Sequence, residues 1–465
     1  MRDLVLTDAM VLTMDAGRRV LPSGYVWMSG GRIKQVGSMR DLPELPEGTL
    51  VRSLGNSHLV MPGLVNTHNH ISSFGLRAMQ DQGPQGYRGV KMYDGLRALD
   101  APGGYLGAAS ALHESNLGGI TTTVAGEAGS AELLSAALEA CHESGSRVVM
   151  SRAAMDSDVS KAANLVIPED LRETVDTAIS GLDELRAQVT SDLVTVVPEA
   201  FSVMRTTADM MAALRDYAAE HGLPLLMHAA ATVNERNECL ERTGKKIAQY
   251  LADLDVLRPG TLLAHGTWLD EEEFALVAEG GAGIAHCPMA NGWSGNRISA
   301  VSDWLDAGVR VGLGTDGPTS SNSQDLWAVA KAAIYFQKTR LSDIAWGSPE
   351  LALELLTIRG AESIGMADEI GSLEPGKAAD VICIDIERTS LAPRASIVSN
   401  LVYAHDRSAV RHVYVAGEEI VRDGVHLRLD GRALAAQISA WADRALPPSG
   451  LLGHFREVSS FTYAE

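Results

Sequence analysis

One local pattern repeats along the chain and restricts what it can fold into. Short apolar runs, each suited to a buried strand, end in a histidine or an aspartate. The first, VMPGLVNTHNH over residues 60–70, closes on His68 and His70. Side chains at i and i+2 of a strand share a face, so these two imidazoles lie side by side. Three later runs end in the same chemistry: LPLLMHA carries His228, TLLAHG carries His265 and VRVGLGTDG carries Asp316. A histidine pair at one strand end is more often incidental than functional. Four strand ends that supply four histidines and an aspartate are hard to obtain by chance, and they call for a fold that gathers strand ends on one rim.

Between about residues 60 and 365, strand-like and helix-like segments alternate. The strands read as MPGLVNTH, GITTTVAGE, RVVMSRAAM, LVTVVPEAF, PLLMHAA, TLLAHG, AGIAHCP and VRVGLGTD, with helical periodicity between them, as in AELLSAALEACHES and ADMMAALRDYAAEHG. Eight strands, each followed by a helix, predict an α/β chain folded as a (β/α)8 TIM-type barrel over residues 59–365. Reactive residues of that fold sit at the C-terminal ends of its strands. Residues 1–58 and 366–430 carry short alternating runs and hairpin signals such as SGGR. They predict a small, discontinuous β-sandwich-like domain built from both termini. Residues 431–446 read as a helix, followed by a tail to residue 465.

The formal net charge of −20 argues against nucleic acid or an anionic membrane as partner and leaves a small molecule as the expected ligand. The four cysteines, Cys141, Cys239, Cys287 and Cys383, are scattered, which fits a reducing compartment and not a disulfide framework. No run reaches 18 apolar residues and the N-terminus lacks the pattern of a secretory leader, so a cytoplasmic location is expected.

Neutral imidazole and carboxylate suit one divalent metal ion, zinc first, with cobalt, manganese or iron as alternatives. Such an ion supplies water activated at neutral pH. A carboxylate beside that water can take its proton and pass it on. Asp316 can ligate the metal and act as that base. His265 can be a further ligand, or can hydrogen-bond the water and a developing oxyanion. No GxSxG elbow, P-loop or GxGxxG accompanies these residues, so covalent serine chemistry and nucleotide cofactors lack support.

The stretches PGLVNTHNH, MHAAAT, LAHGTWLD, HCPMAN, GLGTDG and GSLEPGKAADVICID, in that order and spacing, resemble the amidohydrolase superfamily. Within it they are similar to the branch of cytosine deaminase, adenosylhomocysteine/methylthioadenosine deaminases and s-triazine hydrolases. The resemblance spans nearly the whole chain. It implies a metal held by His68, His70, His228 and Asp316, with His265 beside the water, in a homo-oligomer of two or more chains.

The departures from that pattern shape the expected substrate. In the deaminase branch the fifth-strand histidine opens an HxxET motif, whose glutamate moves a proton to a ring nitrogen. Here Ala231 stands in that place, and Glu235 lies four residues further on. The fourth strand reads VVPEAF, which puts Glu199 where relatives place a substrate-contacting group, and its lack of a lysine favours a single metal. The loop ANGWSGNRIS offers Asn291 and Trp293 as substrate contacts. Because alanine cannot move a proton, the sequence favours hydrolysis of a C–N or C–S bond in an amide-, urea- or (thio)carbamate-like molecule. Molinate and phenylurea hydrolases, which degrade xenobiotics, are similar in that respect. His265, Asp316 and Glu199 are then the expected catalytic groups. The alternative is a hydrolytic deaminase or dechlorinase of an aromatic N-heterocycle, with Glu199 or Glu235 replacing the missing acid.

Overall fold

The computed structural model describes residues 3–77, 93–157 and 167–446. Five strands come first: β1 (Leu4–Leu12), β2 (Val20–Ser29), β3 (Arg32–Ser38), β4 (Leu50–Ser53) and β5 (His58–Pro62). The eight segments read as barrel strands follow: β6 (Leu64–Asn69), β7 (Ile120–Ala125), β8 (Arg147–Ala154), β9 (Val194–Ser202), β10 (Leu225–Ala229), β11 (Thr261–His265), β12 (Gly283–His286) and β13 (Arg310–Leu313). They pair in chain order as one eight-stranded sheet, all parallel. Every residue of β6, β7, β11 and β12 is buried, as expected of parallel strands wrapped by helices, which is why they read as continuous apolar runs. The last strand returns to the first. The Asp316 N–H donates to the His68 carbonyl at 2.9 Å and the Thr315 N–H to Asn66 Oδ1 at 3.0 Å.

Local chemistry sets where the helices begin and end. In the helix Ala208–His221, the Thr207 side chain accepts from the Met210 N–H at the start, and Gly222 takes the left-handed conformation at the end.

Four late strands complete the second sheet: β14 (Val381–Asp385), β15 (Val410–Val415), β16 (Glu418–Arg422) and β17 (Val425–His426). The order β17-β16-β15-β14-β5-β1-β2-β3, with β4 also on β1, places strands from both ends of the chain in one nine-stranded mixed sheet. The seam is β14 against β5, antiparallel from Val381 opposite Pro62 to Asp385 opposite His58. A buried bidentate ion pair fastens this sheet to the barrel. Arg147, at the start of β8, donates to Asp380 at 2.9 and 3.0 Å, and Asp380 also accepts the Ala416 N–H at 2.8 Å.

The late helix Gly431–Ala445 packs on the helix Ala101–Leu117. Its Trp441 is buried, and the indole N–H donates at 2.8 Å to Asp100, the cap of the second helix. The expected C-terminal tail, residues 447–465, lies outside the described residues. Among the described residues, no helix is long and apolar enough to cross a membrane. All four cysteines are buried free thiols.

Candidate active site

Parallel strands deliver their C-terminal ends to one rim, and five residues meet there. The His68 ring centroid lies 4.8 Å from those of both His70 and His228, and 5.5 Å from that of His265. Asp316 Oδ1 lies 3.6 Å from His70 Nε2 and 3.8 Å from His68 Nε2, and Oδ2 lies 3.9 Å from His265 Nε2. His265 (φ 77°) and Asp316 (φ 60°) both occupy the left-handed region, which costs a non-glycine residue on the order of 1–3 kcal/mol and persists only where packing enforces it. Gly314 shows how tight that packing is. A Cβ there would come within 2.8 Å of His68 Cβ and 2.9 Å of Cys287 Sγ.

The hydrogen bonds fix the tautomers. His70 Nδ1 bonds the Gly126 carbonyl, and His228 Nδ1 bonds the Phe201 carbonyl at 2.8 Å. A carbonyl only accepts, so each Nδ1 carries a proton and each neutral ring turns an Nε2 lone pair to the centre. The two Nε2 atoms are 3.2 Å apart, close enough to share a proton or to bind one metal ion. Burial opposes charge on His228, but the Glu199 and Asp316 carboxylates outweigh it and raise its pKa. His68 differs. Its Nε2 is buried with no hydrogen-bond partner, and burial, reinforced by the neighbouring histidines, holds its pKa well below the usual imidazole range. It is a neutral donor in need of an acceptor.

Two overlapping sets, His68 with His228 and His265, and His68 with His70 and Asp316, each bring their donor atoms within 4.8 Å of one another. This donor chemistry fits a divalent ion of the zinc type. His68, His70, His228, His265 and Asp316, the residues of these two sets, are the ones that could hold it.

The structure moves Glu199 away from its expected catalytic place. Strand β9 runs on to Ser202, so Glu199 lies below the rim, 1% exposed. One of its oxygens is 3.3 Å from His228 Nδ1 and the other accepts from the Ser151 hydroxyl. It orients a ligand from behind, and it is absent from the lining of the cavity above the cluster. Trp293 is likewise absent from that lining; it ends the short helix Pro288–Trp293 and is half-buried. Asn291 does reach the cavity, with its amide N–H2 donating to Thr267 at 2.9 Å and Ser299 at 3.2 Å.

That cavity holds about 550 Å³ and is also lined by Glu235, which the sequence offered as a replacement acid, and by Glu127 and Arg205, which it did not single out. Glu235 is the third residue of the helix Val233–Thr243 and 7% exposed. Its Oε2 accepts the Ala231 N–H at 2.8 Å, and its Oε1 is buried without a partner. Burial pushes its pKa up to about 6. Glu127, just past β7, accepts the Ile71 N–H at 2.5 Å and the Ser72 hydroxyl. Burial outweighs those bonds and raises its pKa to about 8. The rule that singled out the histidines, a polar group just past an apolar strand, applies equally to Glu127 in VAGEAGS.

Residues 59–420 match the amidohydrolase family. The 5-methylthioadenosine/S-adenosylhomocysteine deaminase of Thermodesulfovibrio yellowstonii is 27% identical over 450 residues, covering 95% of this chain and 99% of its own length. The 5'-deoxyadenosine deaminase of Methanopyrus kandleri is 28% identical over 428 residues, covering 92% and 96%. Among solved structures, an adenosine deaminase from Xanthomonas campestris with bound zinc shares the fold at a TM-score of 0.87 and 24% identity, covering 96% of this chain and 99% of its own. A parallel barrel, a histidine–aspartate cluster on its rim and a family match across most of the sequence converge: the chain is a hydrolase and belongs to the amidohydrolase family.

Proposed function

We propose that this enzyme is a hydrolytic deaminase: it replaces the exocyclic amino group of an aromatic nitrogen heterocycle with oxygen and releases ammonia. Glu235 carries this reading. The expectation of an amide, urea or carbamate substrate rested on Ala231, which cannot protonate a ring nitrogen. Glu235 removes that ground, because its carboxyl is tied to the Ala231 N–H and its second oxygen is buried, unpartnered and part of the cavity wall. The deaminase names of the curated relatives support the same reading.

In this scheme Asp316 takes a proton from the attacking water. Glu235 gives a proton to the ring nitrogen next to the reacting carbon, so that the ring does not carry negative charge. His265 stands beside Asp316 and hydrogen-bonds the oxygen as charge develops on it. The proton held by Asp316 then passes to the amino group, which leaves as ammonia, and the proton still on the added oxygen returns to Glu235 as the carbonyl forms. The metal, when bound, supplies the activated water. Glu199 and the Phe201 carbonyl hold His228 in place.

The test is ammonia release from adenosine, 5'-deoxyadenosine, guanine and amino-s-triazines, set against turnover of aryl-ureas and thiocarbamates. A heterocycle is the expected substrate. Glu235→Gln is expected to lose roughly 10²–10⁴-fold in kcat while keeping the metal content of the parent. Turnover confined to ureas or thiocarbamates, or full activity in Glu235→Gln, would overturn the reading.

A further inference from the structure

Further along the cavity wall from His228 lies a cation that the scheme above does not use. Arg205 follows β9, and its main chain is held on both sides. Its N–H donates to the Ser202 carbonyl at 3.0 Å, and its own carbonyl accepts the N–H groups of Asp156 and Ser157 at 3.1 and 3.3 Å. Its Nε–H donates to the Tyr93 hydroxyl at 2.8 Å. Its guanidinium centre lies 5.4 Å from the Phe201 ring centroid and 5.9 Å from that of Tyr93. Position and plane are therefore set before any ligand arrives. Nearby Arg152 and Arg242 each face a glutamate, Glu173 at 3.1 Å and Glu238 at 3.9 Å. Among the described residues no carboxylate lies within ion-pair distance of Arg205, which lines the cavity; its charge acts from farther off on Glu235, whose pKa it lowers against the effect of burial.

Phe201 links this cation to the reacting end. Its ring stacks on His228 at 5.2 Å with 25° between the planes. Arg205, Phe201 and His228 thus follow one another along one wall, with Phe201 stacked on His228 and the guanidinium over the Phe201 ring, a surface suited to a flat ring. A guanidinium held this way offers directed N–H donors and a full charge at its open edge, which favours an oxygen carrying negative charge, full or partial.

We propose that Arg205 is a specificity-determining residue that selects heterocycles bearing an oxygen acceptor, a ring carbonyl or a carboxylate, in addition to the reacting amino group. The amino group in that statement rests on the deaminase reading; the acceptor does not. Two pairs of compounds separate the two oxygen sources. Guanine and 2-aminopurine differ by a ring carbonyl, and 6-aminonicotinate and 2-aminopyridine differ by a carboxylate. The zinc-loaded enzyme is expected to prefer the oxygen-bearing member of one pair by about tenfold or more in kcat/KM. Arg205→Met is expected to raise KM for that member by about 10–100-fold, with kcat changed by less than about threefold, and to leave the plain member unaffected. Arg205→Lys should recover part of the loss. Tyr93→Phe, which removes only the Nε contact, should reproduce a smaller KM effect.

Thermal shifts with xanthine and with purine read the same contact without turnover. Xanthine should stabilise the parent more than purine does, and Arg205→Met should erase the difference. Absence of deamination together with a preserved xanthine effect would sink the deaminase reading and leave this assignment standing. Equal treatment of both members of both pairs by the parent, or equal losses on both members in Arg205→Met, would overturn the assignment itself.

Discussion

At the scale of single residues, the buried carboxyl of Glu235 makes a prediction with a definite sign. Burial raises its pKa to about 6 in the folded chain. As the proton donor it works in its protonated form, so kcat/KM of the deamination is expected to fall as pH rises through about 6, and Glu235→Gln should remove that limb of the profile. The same shift acts on stability. A carboxyl whose pKa is higher folded than unfolded contributes stability that is complete below its unfolded value and is lost as pH rises through the folded one. Glu235→Gln should therefore gain on the order of 2 kcal/mol relative to the parent between pH 4 and pH 8, read from urea melts at both values. Ala231 gives a second test. Under the deaminase reading, Ala231→Glu restores a carboxylate next to the Ala231 N–H that Glu235 now binds, and kcat/KM should stay level or rise. A clear loss at every pH would favour a carbonyl substrate.

At the scale of elements, the rim depends on glycine and on a carboxylate clasp. Gly314→Ala would push a methyl group against His68 Cβ and Cys287 Sγ, and it is expected to cost roughly 1–3 kcal/mol and to lower bound zinc measured by elemental analysis. Glu127 holds the first turn of the 3-10 helix Ile71–Leu76, which begins right after His70. Glu127→Ala should cost about 1–3 kcal/mol in urea unfolding and weaken zinc retention against a chelator, because the turn that carries His70 loses its acceptor.

The same scale explains what the sequence could reveal. All eight barrel strands were legible because buried parallel strands leave short apolar runs, and the histidines and Asp316 because each closes such a run. Glu199 reads as a strand-end group, although the expected strand LVTVVPEAF already runs two residues past it; β9 continues to Ser202, and the pairing with β10 skips a residue between Met227 and His228, which leaves Glu199 below the rim. Glu235 was legible as a possible replacement acid four residues past Ala231, but not as part of the cavity wall. Its place in the cavity depends on the Thr232 cap, which starts the helix early enough to turn the third residue inward. Arg205 left no signal, because its role comes from two rings distant in sequence.

At the scale of the whole molecule, the two sheets are fastened by the Arg147–Asp380 pair, whose side chains are 12% and 3% exposed. Removing one partner strands the other charge, so Asp380→Ala is expected to cost about 3–5 kcal/mol and to lower Tm, while specific activity at a temperature where the chain remains folded stays close to that of the parent. A calorimetric melt checks the first part and an initial-rate assay the second.

The seam between β5 and β14 also has a consequence in time. A nascent chain leaves the ribosome at roughly 5–20 residues per second, N-terminus first. Strand β5 is made early, but its partner β14 lies on the far side of the entire barrel. For tens of seconds the first hairpins stand beside an exposed edge, of the kind that pairs with whatever strand is nearest. The barrel is therefore built on a foundation whose last course is laid only after the barrel itself has been made, and until then the leading strands depend on the hairpins they form with one another.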